Sequence, residues 1–321
     1  MTIEKICVQK FLPEHITQIN KINNSTGEHQ TRLAAAFYSK KIWPAYSEIF
    51  VTFTEKNPQI KRTSISSMNT KTTPLDPLQP YFSNNTDIPI PKAIEKIVKE
   101  RFEPITGIKF TFTDIATAKD QKNHVRISFD DDGGAWSLVG TDAINQKNGP
   151  TMNLGWFDVG TVLHEFGHVL GMVHEHESPN GNPIKWNKPA VYEWADQTQG
   201  WDKKETNTNI LNKYSNDQIN GSEFDKNSAM LYFFPASLTT NHIGTSQNLR
   251  LSGEDMIWLN KIYPGGTESP ATFYKKIYGI PLKDGINGSK NKKWIYISII
   301  IASLLLLIGI GIIVWKISHK H

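Results

Sequence analysis

The sequence is poor in cysteine, with a single one, Cys7, in 321 residues. An internal disulfide is therefore impossible, which favours a reducing compartment or a fold that needs no covalent cross-links. An excess of one charge sign is also lacking, because 35 Lys and Arg residues face 31 Asp and Glu residues. The basic residues are scattered along the sequence, so nucleic acid is not expected as a partner.

The N-terminus lacks the apolar segment of a secretory signal, since charges recur throughout MTIEKICVQKFLPEH. A long uncharged apolar run occurs near the C-terminus, where residues 294–315 read WIYISIIIASLLLLIGIGIIVW. As a helix rising about 1.5 Å per residue, this run reaches roughly 33 Å, enough to cross the core of a bilayer. A buried core helix would carry a polar face, and this run has none. We therefore predict a transmembrane helix over residues 294–315.

The segments around the predicted membrane helix suggest a tail anchor. A short tail, residues 316–321, follows the helix, and a polar stalk is predicted over residues 265–293. Because no signal precedes it, we expect the domain to face the cytosol, on a cellular membrane or a viral envelope. Residues 1–31 are interpreted as an N-terminal extension and as a candidate for a short pro-segment.

Strand and helix patterns alternate in the remaining sequence. Three segments alternate apolar and polar residues as half-buried strands do: residues 48–54, 108–114 and 124–130. Residues 91–102 begin with proline and carry apolar residues at helical spacing, which predicts a helix. A second helix is predicted over 251–263, where Ser252 and Asp255 have the spacing of a capping box. Residues 55–91 are rich in Pro, Ser, Thr and Asn and are predicted as a long surface loop.

The stretch TVLHEFGHVLGMVHEH places four histidines and two glutamates in an otherwise apolar segment. His164 and His168 are four residues apart, so they share one face of a helix and both imidazoles can reach one ion. Glu165 is then placed to hold and deprotonate a water on that ion. Gly171 permits the positive φ at which the helix can end, so that the chain can turn and present His174.

Three neutral nitrogen donors, one base and one open position make up the ligand set of a catalytic zinc site, whereas a structural site has four protein ligands. The alternative is a polar patch on a surface helix, and it weakens as the fixed positions grow from HExxH to HExxHxxGxxH. We therefore predict one Zn²⁺ per chain, bound by His164, His168 and His174. His176 is interpreted as a neighbour of the ligands or as solvent-facing.

Further segments resemble those of one family. FDKNSAMLYFFPASLT (224–239) is similar to its Met-turn, LSGEDMIWLNKIYPG (251–265) to its closing helix, and WSLVG and TMNLGW to the segments that frame its cleft. With the motif HExxHxxGxxHE, they make residues 32–264 resemble the astacin-like branch of the metzincin zinc peptidases. The resemblance implies an α+β domain. Its mixed twisted sheet and two long helices would lie above the cleft, and an irregular lower subdomain with a closing helix would lie below.

The resemblance also implies roles for individual residues. Met230 would lie in a tight turn beneath the zinc, and Tyr232 would hydrogen-bond the oxyanion, although MLYFF alone predicts only a core aromatic there. An extended substrate would pair with an edge strand of the sheet that contains Trp136, Ser137, Leu138 and Val139. Cys7 can in principle cap the zinc, but EKICVQK lacks the pattern of such a cap, so an unremarkable thiol is expected.

The predicted function is that of a membrane-anchored zinc endopeptidase with Glu165 as its general base, acting on peptides or proteins. Two alternatives remain. One is a catalytically silent zinc domain that binds a peptide or partner in the cleft, and the other is a structural membrane protein that uses the fold as a scaffold. The presence of Glu165 beside all three ligands favours the enzyme, because a binding protein needs no base.

Overall fold

The computed structural model describes residues 7–10, 37–65, 68, 74–114, 124–215, 218–220 and 223–282. The elements discussed below belong to one unit, Met1–Ile280. The predicted membrane helix over 294–315 and the tail after it lie outside the described residues. Within the described part of the chain, no helix combines the length and the apolar character needed to span a membrane.

A six-stranded mixed sheet forms the upper half of the unit. The described residues contain ten strands, six of which belong to this sheet. They are β1 (Val8–Lys10), β2 (Phe37–Tyr38), β3 (Glu48–Phe53), β4 (Lys61–Arg62), β5 (Lys109–Thr113), β6 (Val125–Ser128), β7 (Ala135–Leu138), β8 (Met152–Leu154), β9 (Trp156–Phe157) and β10 (Ile219–Asn220). The order in the sheet is β1-β7-β8-β6-β3-β5. Strand β7 runs antiparallel to β8, and the other neighbouring pairs of this sheet are parallel. The mixed sheet is thus confirmed.

Helices cover the sheet and form much of the lower half. They are α1 (Leu78–Asn84), α2 (Ile90–Arg101), α3 (Asp142–Asn145), α4 (Val159–Val169), α5 (Lys188–Gln199), α6 (Lys203–Thr206), α7 (Gly253–Ile262) and α8 (Pro270–Tyr278). The two long helices α2 and α4 pack together. Phe166 of α4 meets Phe110 of β5 edge to face, with ring centroids 5.7 Å apart, which seats α4 on the sheet.

The closing helix α7 begins with the predicted capping box. The Ser252 hydroxyl accepts a hydrogen bond from the Asp255 backbone N–H at 2.9 Å, and the Asp255 carboxylate accepts one from the Ser252 N–H at 2.9 Å. Two of the backbone donors at the start of the helix are thereby satisfied. Asp255 is fully buried, so this cap lies inside the protein.

The prediction of a surface loop over residues 55–91 is wrong in part. The segment contains β4 and α1, and α1 buries Leu78 and Phe82, which are four residues apart. Asp76, just before α1, accepts two hydrogen bonds of 2.8 Å from the Arg101 guanidinium. The sequence did not predict this short helix, because the segment is rich in Pro and Asn and because the residue that stabilises its start, Arg101, is distant in sequence.

The stalk and the N-terminal extension also differ from expectation. Residues 270–278 of the predicted stalk form α8, which packs on α7 and buries Phe273 and Tyr274. The sequence did not predict this helix, because the segment is mostly polar and the buried face of the helix consists of two aromatic residues. Strand β1 lies within the predicted extension 1–31, yet it pairs with β7 and belongs to the central sheet.

Candidate active site

The helix that carries the motif, α4, is capped at both ends. Asp158 accepts a hydrogen bond from the Thr161 N–H at 2.7 Å and caps the N-terminus. At the other end Gly171 has φ 85°; its N–H donates to the His168 carbonyl at 2.8 Å, and the Met172 N–H donates to the Gly167 carbonyl at 2.9 Å. This pair of hydrogen bonds is a Schellman motif. The predicted glycine-dependent helix end is confirmed.

The three predicted ligands converge beyond this turn. One ring nitrogen each from His164, His168 and His174 lies within 4.8 Å of the others. The Nε2 atoms of His168 and His174 are 3.1 Å apart. Two nitrogens on one tetrahedral Zn²⁺ with bonds of about 2.0–2.1 Å stand roughly 3.3 Å apart. The spacing therefore suits a shared zinc ion.

Hydrogen bonds on the far side of the rings fix the protonation of two imidazoles. The Nδ1 of His164 donates to the Ala229 carbonyl at 2.8 Å, and the Nδ1 of His168 donates to the Met172 carbonyl at 2.8 Å. A carbonyl only accepts, so each Nδ1 carries the hydrogen and each Nε2 keeps a lone pair for the metal.

Burial keeps these histidines neutral. Desolvation lowers the pKa of His164 to about 4, although its hydrogen bond to Ala229 opposes this, and it lowers the pKa values of His168 and His174 well below the usual range. The buried Nε2 of His164 has no hydrogen-bond partner within the described residues. A lone pair that is buried without a donor, as on this nitrogen of His164, is costly in an apolar interior, and a bound cation removes that cost. The donor set fits Zn²⁺.

Glu165, the seventh residue of α4, lies beside the ligands and is fully buried. Both of its carboxylate oxygens are buried without a nitrogen or oxygen partner among the described residues. Desolvation raises the pKa of this carboxyl well above its usual value, and the neighbouring Cys7 thiol offsets part of the rise. An unpaired carboxyl next to three neutral imidazoles is available for proton transfer.

The predicted Met-turn lies directly under α4. Met230 is buried, and its sulfur packs so closely on Gly167 that a Cβ there would lie 2.5 Å from it. The Ser228 hydroxyl donates to Asp255 at 2.7 Å, and the Ala229 N–H donates to the same carboxylate at 2.8 Å. Because the Ala229 carbonyl accepts from His164, the turn connects a zinc ligand to the closing helix.

The position of Tyr232 fits both interpretations of the sequence, a core aromatic residue and a hydroxyl near the zinc ligands. Its ring packs in a buried cluster with Val191 and Phe234, as a core aromatic would. Its hydroxyl lies 2.6 Å from the Nε2 of His174 and also donates to the Cys7 carbonyl. The structure therefore brings the hydroxyl to the metal-facing side of the ligands.

The four residues of the predicted substrate strand separate into two groups. Trp136, Ser137 and Leu138 lie in β7, whereas Val139 follows the strand and packs beneath it with Tyr38. Val139 is thus wrongly assigned to the strand, because the chain turns at Gly140, where φ is 53°. The prediction that this strand forms an edge of the sheet is also wrong, because β7 pairs with β8 on one side and with β1 on the other, and β1 occupies the edge.

Several residues near the centre escaped sequence reasoning. His176 is fully buried and donates from Nε2 to the Asn209 carbonyl at 2.9 Å, so a solvent-facing position is wrong and the neighbouring position is confirmed. Glu177 lies 3.6 Å from the Nδ1 of His174, three residues away along a short 3-10 turn. The expectation that Cys7 is an unremarkable thiol is also wrong, since its sulfur lies within 4.8 Å of a His164 nitrogen and a Glu165 oxygen.

A buried HExxHxxGxxH helix that packs between a mixed sheet and a Met-turn defines a zinc peptidase of the metzincin type. The model of the Astacin peptidase family matches residues 67–264, and this chain belongs to that family. It is therefore a zinc metallopeptidase. His164, His168 and His174 can hold the zinc ion on which the family depends.

Three solved structures are similar to this chain. A structure of myroilysin is 28% identical, with a TM-score of 0.56, and the match covers 72% of this chain and 98% of myroilysin. A crystal structure of myroilysin gives 25% identity and a TM-score of 0.44, over 82% of this chain and 100% of that one. High choriolytic enzyme 1, a hatching enzyme zinc-protease from the medaka fish Oryzias latipes, gives 15% identity and a TM-score of 0.39, over 72% and 98%. No curated protein matches the sequence.

Proposed function

We propose that this chain is a membrane-anchored endopeptidase in which His164, His168 and His174 bind Zn²⁺ and Glu165 is the general base. The observation that carries the proposal is the position of the unpaired Glu165 carboxyl beside three converging imidazole nitrogens. A structural zinc site has no use for such a carboxyl, whereas hydrolysis requires a base at this place.

Each side chain then has a defined task. Zinc, when bound, lowers the pKa of water and polarises a carbonyl. Glu165 accepts the proton of the attacking water and passes it to the leaving amine. Desolvation raises the pKa of this carboxyl above its usual value, which helps it to hold the proton between the two transfers. The Tyr232 hydroxyl donates a hydrogen bond to the developing oxyanion.

Cleavage within a chain, rather than at its ends, follows from the proposed role of β7. A strand edge recognises an extended peptide through main-chain hydrogen bonds, which are the same at every position of the substrate. The exposed part of Trp136 and the main chain of Ser137 and Leu138 offer such a surface once β1 is displaced. No charged terminus of the substrate is needed for this mode of binding.

Peptides that are acetylated at the N-terminus and amidated at the C-terminus test the proposal. An endopeptidase cleaves them, and the full-length protein in detergent should do so, with loss of activity on chelation. Glu165→Gln should keep zinc and the fold yet lose nearly all cleavage, because an amide cannot accept the proton. Thr161→Ser on the same helix is the control. Equal cleavage by the Gln variant would refute the role of Glu165, and cleavage of free-ended peptides only would refute the endopeptidase.

The membrane anchor is supported by the uncharged apolar composition of residues 294–315. The lone cysteine supports a peptidase domain on the cytosolic side, where disulfides are rare. Expression in a eukaryotic host tests both points. The chain should stay with the membrane after alkaline extraction, and the sequons at Asn220 and Asn287 should remain free of glycan. Extraction into the soluble fraction would refute the anchor, and glycan at either asparagine would refute the cytosolic side.

A further inference from the structure

The third predicted zinc ligand differs from the other two in the group that lies behind its ring. Those two ligands donate from Nδ1 to backbone carbonyls. The Nδ1 of the third, His174, lies 3.6 Å from a carboxylate oxygen of Glu177. A carbonyl is a neutral acceptor, whereas a carboxylate is charged and forms hydrogen bonds roughly twice as strong. The group behind His174 can therefore change the charge at the zinc.

Backbone hydrogen bonds hold Glu177 in place beside this ring. Its N–H donates to the His174 carbonyl at 3.1 Å, and its carbonyl accepts the Tyr214 N–H at 3.1 Å. The turn that contains it starts at Glu175, whose N–H donates to the Met230 carbonyl at 3.0 Å. Glu177 is 2% exposed and His174 is fully buried, so solvent screens the contact only weakly. The carboxylate is thus fixed near one imidazole in a region of low dielectric constant.

The carboxylate lies on the side of His174 that faces away from the other ligands. The Nε2 of this ring is 3.1 Å from the Nε2 of His168, so Nε2 faces the shared ion and Nδ1 faces Glu177. When Nε2 binds zinc, the hydrogen of the neutral ring must be on Nδ1. The contact of 3.6 Å is slightly longer than a hydrogen bond. A metal-bound ring carries part of the positive charge of the ion and attracts the carboxylate more strongly than a free ring does.

We propose that Glu177 is a positioning residue of the zinc site, whose carboxylate accepts the Nδ1 hydrogen of His174. The inference rests on the zinc ligands of the proposed function and not on Glu165 as the base. The hydrogen stays on Nδ1, so no proton is transferred. The carboxylate sets the tautomer and orientation of the ring and makes it a better electron donor. It also offsets part of the double positive charge that three neutral nitrogens leave on a buried zinc ion.

Two other interpretations compete with this one. In the first, Glu177 stabilises the buried turn and has no effect on the metal. In the second, Glu177 binds an ion of its own, since one atom each from His174, His176 and Glu177 lies within 4.8 Å of the others. Because Nε2 of His174 is needed for the first ion, a second ion would have to bind Nδ1 and remove the remaining ring hydrogen. A carboxylate acceptor requires no such step.

Zinc affinity is the first readout, measured on the full-length protein in detergent by competition with a chromophoric chelator. Glu177→Gln keeps the shape of the side chain and removes its charge. Its zinc affinity should fall about tenfold to a hundredfold, the usual effect of losing such a partner. Glu177→Asp keeps the charge but withdraws it from Nδ1, so its affinity should lie between those of the wild type and the Gln variant.

Stability with and without metal separates positioning from a purely structural role. At one free zinc concentration, the Gln variant should lose about 1.4–2.8 kcal/mol more unfolding free energy in the zinc-loaded state than in the metal-free state, which is the expected change in affinity converted to energy. A residue that only stabilises the turn costs the same in both states. Isotope-labelled histidine adds a spectroscopic readout. One Nδ1–H proton resonance of the zinc-loaded wild type should lie downfield and move upfield in Glu177→Gln.

Glu175→Gln is the matched control. Glu175 is a buried carboxyl in the same turn, and it accepts the Asp225 N–H at 2.8 Å. Its replacement removes the same charge without touching the contact at Nδ1 of His174, so zinc affinity should stay close to that of the wild type. A loss as large as that of Glu177→Gln would show that net charge alone matters and would overturn the positioning role.

The remaining outcomes separate this inference from the proposed function. Equal zinc affinity in the wild type and Glu177→Gln would overturn the positioning role and leave the peptidase standing, as would equal stability losses with and without metal. Two zinc ions per chain in the wild type and one in Glu177→Gln would make Glu177 a metal ligand and overturn its role behind His174. A wild type that binds no zinc would overturn both this inference and the proposed function.

Discussion

Asp255 on the closing helix accepts a hydrogen bond of 2.7 Å from the hydroxyl of Ser228 in the Met-turn. The same carboxylate accepts the Ala229 N–H at 2.8 Å, and the Ala229 carbonyl in turn accepts from the zinc-facing imidazole of His164. The carboxylate that caps α7 therefore also supports, through Ala229, the predicted zinc ligand His164. Partners at this distance from a metal commonly change its affinity about tenfold to a hundredfold.

Removal of this support should weaken both the fold and the metal site. We expect Asp255→Ala to lower the free energy of unfolding by roughly 3 kcal/mol, because buried donors of the turn and of the cap lose their acceptor. Zinc affinity should fall at least about tenfold. Chemical denaturation and competition with a chromophoric chelator measure the two effects. Glu254→Gln, on the adjacent residue, is the control, and an unchanged zinc affinity in Asp255→Ala would disprove the link through Ala229.

The pH dependence of the unfolding free energy should reveal that the Asp255 carboxyl is buried. Burial, with the neighbouring Asp225 charge, raises the pKa of Asp255 to about 6, above a value of about 3.9 in the unfolded chain. A raised folded pKa means that this group stabilises the fold most below pH 4 and that the contribution is lost as the pH rises through 6. The unfolding free energy of the metal-free wild type, minus that of Asp255→Asn, should therefore fall by about 2 kcal/mol from pH 4 to pH 7. A difference that rises with pH would mean that the hydrogen bonds outweigh the burial.

The features that the sequence predicted correctly depend on residues that are close together in the chain. The zinc helix and its glycine end follow from residues within about three turns, and the cap of α7 follows from Ser252 and Asp255 alone. Helix α1 and the position of Cys7 depend on distant partners instead. Asp76 is held by Arg101, and β1 is a strand of three residues whose partner on β7 is more than a hundred positions away. Three residues carry too little alternation to indicate a strand, and nothing local identifies which edge they join.

Loss of the Tyr232 hydroxyl should impair turnover with little effect on the fold. In Tyr232→Phe the ring still packs with Val191 and Phe234, while the group near His174 is gone. We expect kcat to fall roughly tenfold to a thousandfold, the range for a lost oxyanion donor. Unchanged turnover in a zinc-loaded protein would leave Tyr232 as a core aromatic only.

The contact between Gly167 and Met230 should determine how α4 rests on the Met-turn. In most helices Gly→Ala stabilises by up to about 1 kcal/mol. Here the added Cβ would lie 2.5 Å from the buried Met230 sulfur, so we expect Gly167→Ala to destabilise by about 1–3 kcal/mol and to weaken zinc binding. The effect should reverse in the Met230→Ala background, where the methyl group has space and only the helix propensity remains. A double-mutant cycle on unfolding free energies measures the coupling between the two residues. Gly200→Ala is the control: this glycine lies at a helix end with positive φ and open space around it, so the substitution adds backbone strain without a collision. If Gly167→Ala destabilises equally with and without Met230, the sulfur does not support the zinc helix.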